Sequence, residues 1–379
     1  MFAPVIEARM KGDVMEEVEV VRPYWDWQER EGLPRYTGLS IEDLNDIELK
    51  PWDRMGGNGA FIDLGVLRPR NGGGWVVEIP PGKSLNPMRH MFDEGLYVLS
   101  GRGATTIWTE GGTKQMVEWR EGSLMAIPLN AWHQHFNAGT EPVRFFSMNT
   151  MGQTINQYNS ERFVFDNPFV FEERFAGQDD FYRGDGALLA VPREQYRVWR
   201  TNFVPDARTL QLQAWGARGA GGLNLNLEMA QTVCPHISQF PVGTYKKGHI
   251  HNFQARSNGG GAPLLILTGV GYTMVWPPKG ELQQLNWKAN GLVVAPGFYY
   301  HQHFNVGAVP ARYLAAIQIG TWRNRTGEKN PNDVSEDEGG TQIEYPNENP
   351  EIHRIFEDEL KKRGVECQMA GLSPFCTAG

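Results

Sequence analysis

Cysteine is scarce in this chain: Cys234, Cys367 and Cys376 are the three among 379 residues. So small and odd a number excludes a disulfide-built scaffold and fits reduced thiols in the cytosol. Their spacing matches no thiolate metal motif, and a bridge between Cys367 and Cys376 is conceivable. Long apolar runs are also missing, since none approaches the roughly 20 residues of a membrane span. The opening stretch Met1-Phe2-Ala3-Pro4-Val5-Ile6-Glu7-Ala8-Arg9 lacks the apolar core of a secretory signal. These absences lead us to expect a cytoplasmic protein with no membrane partner. Excess positive charge is lacking too. The net charge of -8 argues against nucleic acid as a partner, although a local metal or arginine can still attract an anionic small molecule. Hydrophobic residues at 40% and charged residues at 21% are the proportions of an ordinary folded domain. Aromatic residues are plentiful, as a β core favours.

What the chain does have is a repeat. Trp132-His133-Gln134-His135-Phe136-Asn137 returns as Tyr300-His301-Gln302-His303-Phe304-Asn305, with five of the six residues identical and an aromatic ring at the first position of each. A step of 163 pairs Leu49 with Leu212, Trp52 with Trp215 and Leu64 with Leu227. A step of 161 pairs Gly82 with Gly243 and His90 with His251, and a step of 168 pairs Gly101 with Gly269, Gly103 with Gly271, Trp119 with Trp287 and Arg144 with Arg312. The change of step places an insertion in the second copy at the glycine-rich stretch 256–261, which reads as a loop. Two copies make a duplicated domain rather than a solenoid.

Each copy is built of short β segments. Leu96-Tyr97-Val98-Leu99, then Ser100-Gly101-Arg102-Gly103, then Ala104-Thr105-Thr106-Ile107-Trp108 suits a β-hairpin with a Gly-x-Gly turn, and 264–276 repeats the pattern. We therefore expect an all-β fold: an arm over 1–49, a barrel over 50–150, a connector over 151–211, a second barrel over 212–322 and a tail over 323–379. Phe163, Phe165, Phe169, Phe171 and Phe175 are expected to pack the connector onto the barrels, and Trp108 and Trp276 to be core. The tail holds one helix, 350–363, capped by Asn349, opened by Pro350 and closed by Gly364, with Ile352, Ile355, Phe356 and Leu360 along one stripe.

The histidines carry the chemistry. In the second copy Gly243, His249 and His251 form Gly-x5-His-x-His, and a later strand adds His301. Three neutral imidazoles suit Fe, Zn, Cu, Ni or Mn with positions left open for substrate or oxygen. The first copy reads Gly82-x5-Met88-x-His90-x3-Glu94, followed by His133. Two imidazoles and a carboxylate are an open facial set for non-haem Fe(II), and the Met88 thioether is a poor ligand for Fe(II), Mn(II) or Zn(II).

Gly-x5-His-x-His-x3-Glu-x6-Gly and Gly-x5-Pro-x-Gly-x2-His-x3-Asn are the two motifs of the cupin superfamily, and residues 82–101 with 122–137, and 243–251 with 296–305, resemble them. The chain thus resembles a bicupin over roughly 50–150 and 212–322. That implies two tandem jelly-roll (double-stranded β-helix) barrels, with a helical connector and a C-terminal helix, each barrel holding one metal. The first copy departs at Met88 and at Asn130, where glycine is usual. The second lacks the glutamate. His-x-His-x3-Ala with Tyr-His-x-His-x-Asn is similar to the gentisate and salicylate 1,2-dioxygenase group, whose metal motif usually sits in the other barrel. The retained Glu94 resembles the Mn-dependent oxalate decarboxylase type.

The leading expectation is a mononuclear non-haem Fe(II) dioxygenase acting on a small aromatic or carboxylated substrate, with the metal on His249, His251 and His301. A second metal set is His90, Glu94 and His133, whose plain alternative is a buried hydrogen-bonded pair. His303 is a candidate proton shuttle, Tyr245 and Lys247 are candidates to face the pocket, and Arg256 to pair with a substrate carboxylate. The alternatives are a redox-neutral Mn(II)-, Zn(II)- or Ni(II)-dependent decarboxylase, hydrolase or isomerase, and a non-catalytic ligand-binding bicupin. A homo-oligomer is expected. His236 and His353 are read as structural.

Overall fold

The computed structural model describes residues 22–65, 73–190, 197–250, 263–315 and 331–376. His251, Arg256 and the glycine-rich insert lie outside them. The first part contains α1 (Pro23–Glu31), β1 (Arg35–Gly38), β2 (Ser40–Ile41), β3 (Lys50–Trp52), β4 (Gly57–Leu64), β5 (Gly73–Ile79), β6 (Glu94–Ser100), β7 (Arg102–Trp108), β8 (Gln115–Arg120), β9 (Leu124–Ile127), β10 (Trp132–Phe136) and β11 (Val143–Asn149). The connector supplies α2 (Met151–Tyr158), α3 (Glu161–Phe165), β12 (Ala187–Ala190), β13 (Arg197–Arg200) and β14 (Phe203–Val204). The second part contains β15 (Gln213–Ala214), β16 (Leu223–Glu228), β17 (His236–Phe240), β18 (His249–Ile250), β19 (Pro263–Thr268), β20 (Val270–Trp276), β21 (Gln283–Lys288), β22 (Leu292–Val294), β23 (Tyr300–Asn305) and β24 (Ala311–Ala315), and the tail ends in α4 (Pro350–Arg363).

Each part is a large sheet curled over a small one. The order β1-β4-β5-β11-β6-β9-β14 is paired with β10-β7-β8, and β12-β13-β16-β17-β24-β19-β22-β2 with β18-β23-β20-β21. These are two tandem cupin-type barrels. The copies agree in register: His133 lies opposite Ile107 and His135 opposite Thr105, as His301 lies opposite Val275 and His303 opposite Thr273. Both carry the same irregularity, before Phe145 in one and before Tyr313 in the other.

The apolar run of β6 is continuous because both of its faces are buried. Leu96 and Val98 point into the first barrel beside Val117, Trp119 and Phe145. Tyr97 and Leu99 point the other way, into a cluster that also holds Leu227, Leu265, Leu292 and Leu314 of the second barrel. The two large sheets are thus packed back to back through leucines and valines, each contributing roughly 2 kcal/mol on burial. Exchange strengthens the union: β2, from before the first barrel, pairs with β22 of the second, and β14, after the connector, pairs with β9 of the first.

The expected hairpin at Gly-x-Gly does not form. β6 pairs with β11 and β9, whereas β7 pairs with β10 and β8. The chain instead crosses from the large sheet to the small one at Gly101, whose φ of 81° needs glycine, as does Gly269 at 92°. The second glycine is there for space. A Cβ on Gly103 would sit 2.2 Å from the Phe136 carbonyl oxygen and 2.4 Å from the Trp119 ring, and Gly271 meets Phe304 and Trp287 in the same way. Trp108 and Trp276 are not core either. Each is half-buried and stacked at the rim, on Trp132 and on Tyr300.

The tail helix forms as its sequence requires. Asn349 Oδ1 accepts from the Glu351 amide at 3.0 Å, Gly364 closes the helix in the left-handed region, and Ile352, His353, Phe356 and Leu360 are buried. In the connector Phe175 is buried with Ile107 and Ala131, and Phe163 and Phe165 pack on the first core. Phe169, expected to pack similarly, is 55% exposed. Asn130 adopts a φ of 56° where glycine is usual, and its side-chain amide donates to the Asn167 and Phe169 carbonyls, tying the connector to the barrel mouth.

Candidate metal centre

The first barrel brings His90, Glu94 and His133 together. All three are buried, and one ligand atom from each lies within 4.8 Å of the others. Glu94 opens β6, His133 lies on β10, and His90 precedes β6 in a loop that stacks its ring on Phe92 at 3.7 Å. His90 Nδ1 is 2.9 Å from the Phe92 carbonyl, and His133 Nδ1 is 3.1 Å from the Ala131 carbonyl. The Nδ1 of His133, so engaged, carries the proton, which leaves its Nε2 as a bare acceptor directed inward. His90 Nε2 lies 3.0 Å from Glu94 Oε2, and the Ser147 hydroxyl donates to Glu94 Oε1 at 2.5 Å. His133 Nε2 is buried and has no hydrogen-bond partner among the described residues.

Burial alone would raise the Glu94 carboxyl, but the hydrogen bond and charge of His90, the charge of His133 and the Ser147 hydroxyl hold it at about 2. Burial, with the charges of His90 and His135, lowers His133 to about 3. The carboxylate is therefore ionised and His133 neutral at pH 7, which is what a divalent cation requires of them. A buried, unpartnered Nε2 beside a carboxylate fits a metal and is costly without one. Met88 pairs with His133 across the strands, as His249 pairs with His301 in the second barrel. The thioether therefore occupies the position of an imidazole.

Beside each pair sits a third histidine. His135 Nδ1 is 2.7 Å from Thr105 Oγ1, which accepts from the Trp119 indole at 2.8 Å. His303 repeats this with Thr273 at 2.9 Å and Trp287 at 3.1 Å. Because the indole donates, the threonine hydroxyl is free to donate to Nδ1, which places the histidine's own proton on Nε2.

The second barrel brings His249 and His301 together, with ring centroids 4.1 Å apart, and His303 next to His301 at 5.3 Å. It does not bring Tyr245 to this site. Tyr245 is fully buried on the opposite side, against Phe304 and Phe356, with its hydroxyl hydrogen-bonded to Glu348 and His353. Lys247 also leaves the pocket and pairs with Glu344 at 2.5 Å. The cause is a bulge. Tyr245 lies opposite Phe304 and His249 opposite His301, so four steps on one strand answer three on the other and the alternation of faces is broken. The first barrel has the same bulge between Ser84 and Met88.

Lys246, which alternation from His249 directs outward, is the side chain that enters. Its ammonium is buried and donates to Ser238 and, at 2.9 Å, to the Tyr313 hydroxyl. Burial lowers the lysine. Burial would raise Tyr313, but the charge and hydrogen bond of Lys246 bring it below its ordinary value. Register places Ser238 and Tyr313 where the first barrel has Val77 and Phe145. Lys246 and Leu85 likewise donate their amides to the equivalent His303 and His135 carbonyls. A polar trio thus replaces an apolar one. Its sequence signal is Ser and Lys at repeat positions held by Val and Leu in the other copy.

Among the described residues no helix is long and apolar enough to cross a membrane. The sequence has no match among curated proteins. An oxalate decarboxylase of Lactobacillus farciminis in a formate complex is 13% identical, over 74% of this chain and 86% of that one, with a TM-score of 0.47. A deletion mutant of the Bacillus subtilis oxalate decarboxylase is 14% identical, over 82% and 86%, with a TM-score of 0.48. Residues 75–149 match the family model described as Cupin domain, so the first barrel is a cupin domain, and the second repeats it in strand order and register.

Proposed function

We propose that this chain is a metal-dependent bicupin enzyme whose first barrel holds a divalent cation on His90, Glu94 and His133 and performs redox-neutral chemistry, decarboxylation or hydrolysis, on a small carboxylated substrate. The observation that carries this reading is the buried His90–Glu94–His133 set with its unpartnered His133 Nε2. One carboxylate and two neutral imidazoles leave a divalent ion with a net charge of about +1 in a buried place, which favours an anionic ligand. Nitrogen and oxygen donors without thiolate suit Mn(II), with Zn(II) as the other candidate. Bound there, the metal would supply Lewis-acid polarisation of the substrate. The protein's own part is to hold the three ligands, to keep a proton at His135 Nε2 within the same pocket, and to limit water. The last task falls to the connector, where Phe175, Phe181 and Tyr182 close the barrel mouth and the Tyr182 hydroxyl is anchored at 2.8 Å on the Ala126 carbonyl.

This order of preference reverses the one from sequence. The Fe(II) dioxygenase reading places its metal on His249, His251 and His301; His249 and His301 come together and His251 lies outside the described residues, whereas the first barrel's set is complete. One observation keeps it as a second reading: the buried Lys246, with Tyr313 and Ser238, is suited to bind a substrate carboxylate. Oligomerisation belongs with either reading as an expectation. The test is turnover of small carboxylates by metal-reconstituted protein with and without oxygen, with metal analysis of wild type and His133→Ala. Oxygen-independent release of carbon dioxide or hydrolysis product, lost in His133→Ala with one metal equivalent, is the expected result. Strict dependence on oxygen, or metal and activity intact in His133→Ala, would overturn it.

A further inference from the structure

A second group of ligating side chains lies outside both barrels. His353 and Glu357, four residues apart, project from one face of α4, and Cys367 and Cys376 approach from the loop that follows it. One ligand atom from each of the four lies within 4.8 Å of the others. We propose that His353, Glu357, Cys367 and Cys376 form a tetrahedral Zn(II) site that pins the loop after α4 to that helix and so fixes the tail where it packs on the second barrel.

The geometry is near what zinc needs. His353 Nε2 and Glu357 Oε1 are 3.3 Å apart, and two ligands at 2.0–2.1 Å from a tetrahedral ion are separated by about 3.3 Å. The sulfurs are 3.2 Å apart, and two thiolates at 2.3 Å from zinc are separated by about 3.8 Å. A small side-chain rotation bridges that difference. His353 is oriented as metal-bound histidines are. Its Nδ1 lies 2.9 Å from the Tyr245 hydroxyl, which is also bonded to the Glu348 carboxylate. The tyrosine proton goes to the carboxylate, so Nδ1–H donates to the tyrosine oxygen and Nε2 carries a lone pair. That lone pair faces the Glu357 carboxylate, a repulsion that a cation between them removes.

Two sulfur ligands separate this site chemically from the barrel set, because thiolates select zinc over manganese. Binding converts two thiols to thiolates and releases two protons to solvent. His353 is buried and the other three ligands are half-buried, so an ion can enter from the surface. The site also has something to hold. Gln368 donates its amide to the Gly243 carbonyl at 2.8 Å, and Ile343 donates to Gly248 at 2.8 Å, next to His249. Glu348 accepts from Gln302, which stands between His301 and His303. A fixed tail therefore braces the strands that carry the second barrel's histidines, whatever reaction the barrels perform.

The test uses the full chain, purified under reductant and stripped of metal. Cobalt(II) is the probe, because thiolate ligation gives it an intense near-ultraviolet charge-transfer absorption that nitrogen and oxygen ligands do not. We expect that absorption at one cobalt per chain, its displacement by zinc, and its loss with one metal equivalent in Cys367→Ser/Cys376→Ser but not in Cys234→Ser. Zinc should also shield two of the three thiols from a thiol reagent, a measurement that needs no variant. Absence of the absorption in reduced wild type, its persistence in the double variant, or thiol reactivity unchanged by zinc would overturn the proposal.

Discussion

His135 offers the sharpest test of how the first barrel is built. Burial foremost lowers its imidazole from the ordinary 6.5 to about 4, with the charge of Glu94 raising it and that of His90 lowering it further. His133 falls to about 3 for similar reasons. Both folded values are depressed, so the stability each contributes is complete above pH 6.5 and is lost as pH falls towards the folded values. Within that window, about pH 6 to 4, the unfolded chain binds two more protons than the folded one through this pair. Stability should therefore fall by about 2.7 kcal/mol per pH unit from the pair alone, at 1.36 kcal/mol per proton. Other histidines add to the slope, and a variant isolates one contribution. In His135→Gln the slope should be shallower by about 1.4 kcal/mol per pH unit, whatever the absolute cost of losing the bond to Thr105. Urea midpoints of the metal-free protein from pH 7.5 down to 4, converted with a common m-value, read this directly. Equal slopes in wild type and variant would refute the argument that His135 is held neutral by burial.

The duplicated glycines should be intolerant for reasons of space. Gly103→Ala and Gly271→Ala should each destabilise by about 2 kcal/mol, seen as lowered urea midpoints, because the new methyl meets a carbonyl oxygen and a tryptophan ring. Lys246→Met should leave melting temperature unchanged or raise it by removing a buried ammonium, while weakening any carboxylate ligand of the second barrel at least tenfold by calorimetry. Unchanged affinity there would remove Lys246 from the second reading.

Much was legible in the sequence, because a repeat exposes what both copies need. Matching tryptophans, glycines, arginines and the His-Gln-His segment gave the two barrels, and Arg144 and Arg312 indeed do parallel work. Each guanidinium binds backbone carbonyls of the segment preceding its barrel, at Asn45 in one and at Ala207 and Leu210 in the other. The tail helix was legible too, since its cap, stripe and stop are local. His90, Glu94 and His133 were identified by residue type and spacing.

Other features depended on pairings between distant segments. Alternation tells which residues share a face, but a single extra residue between Tyr245 and His249 reverses the face, and nothing local marks it. This sent Tyr245 to the tail and Lys246 into the barrel. The turn at Gly101 looks the same whether its strands pair with each other or with strands of two different sheets, because the partners lie elsewhere in the chain. Cys367 and Cys376 matched no metal spacing because their companions, His353 and Glu357, sit on a helix and come near only when the loop folds back. Composition and repeat thus determined the elements and the chemistry each could carry, whereas the tertiary structure decided which side chains meet, because cross-strand register and loop closure are set by the packing of the whole chain.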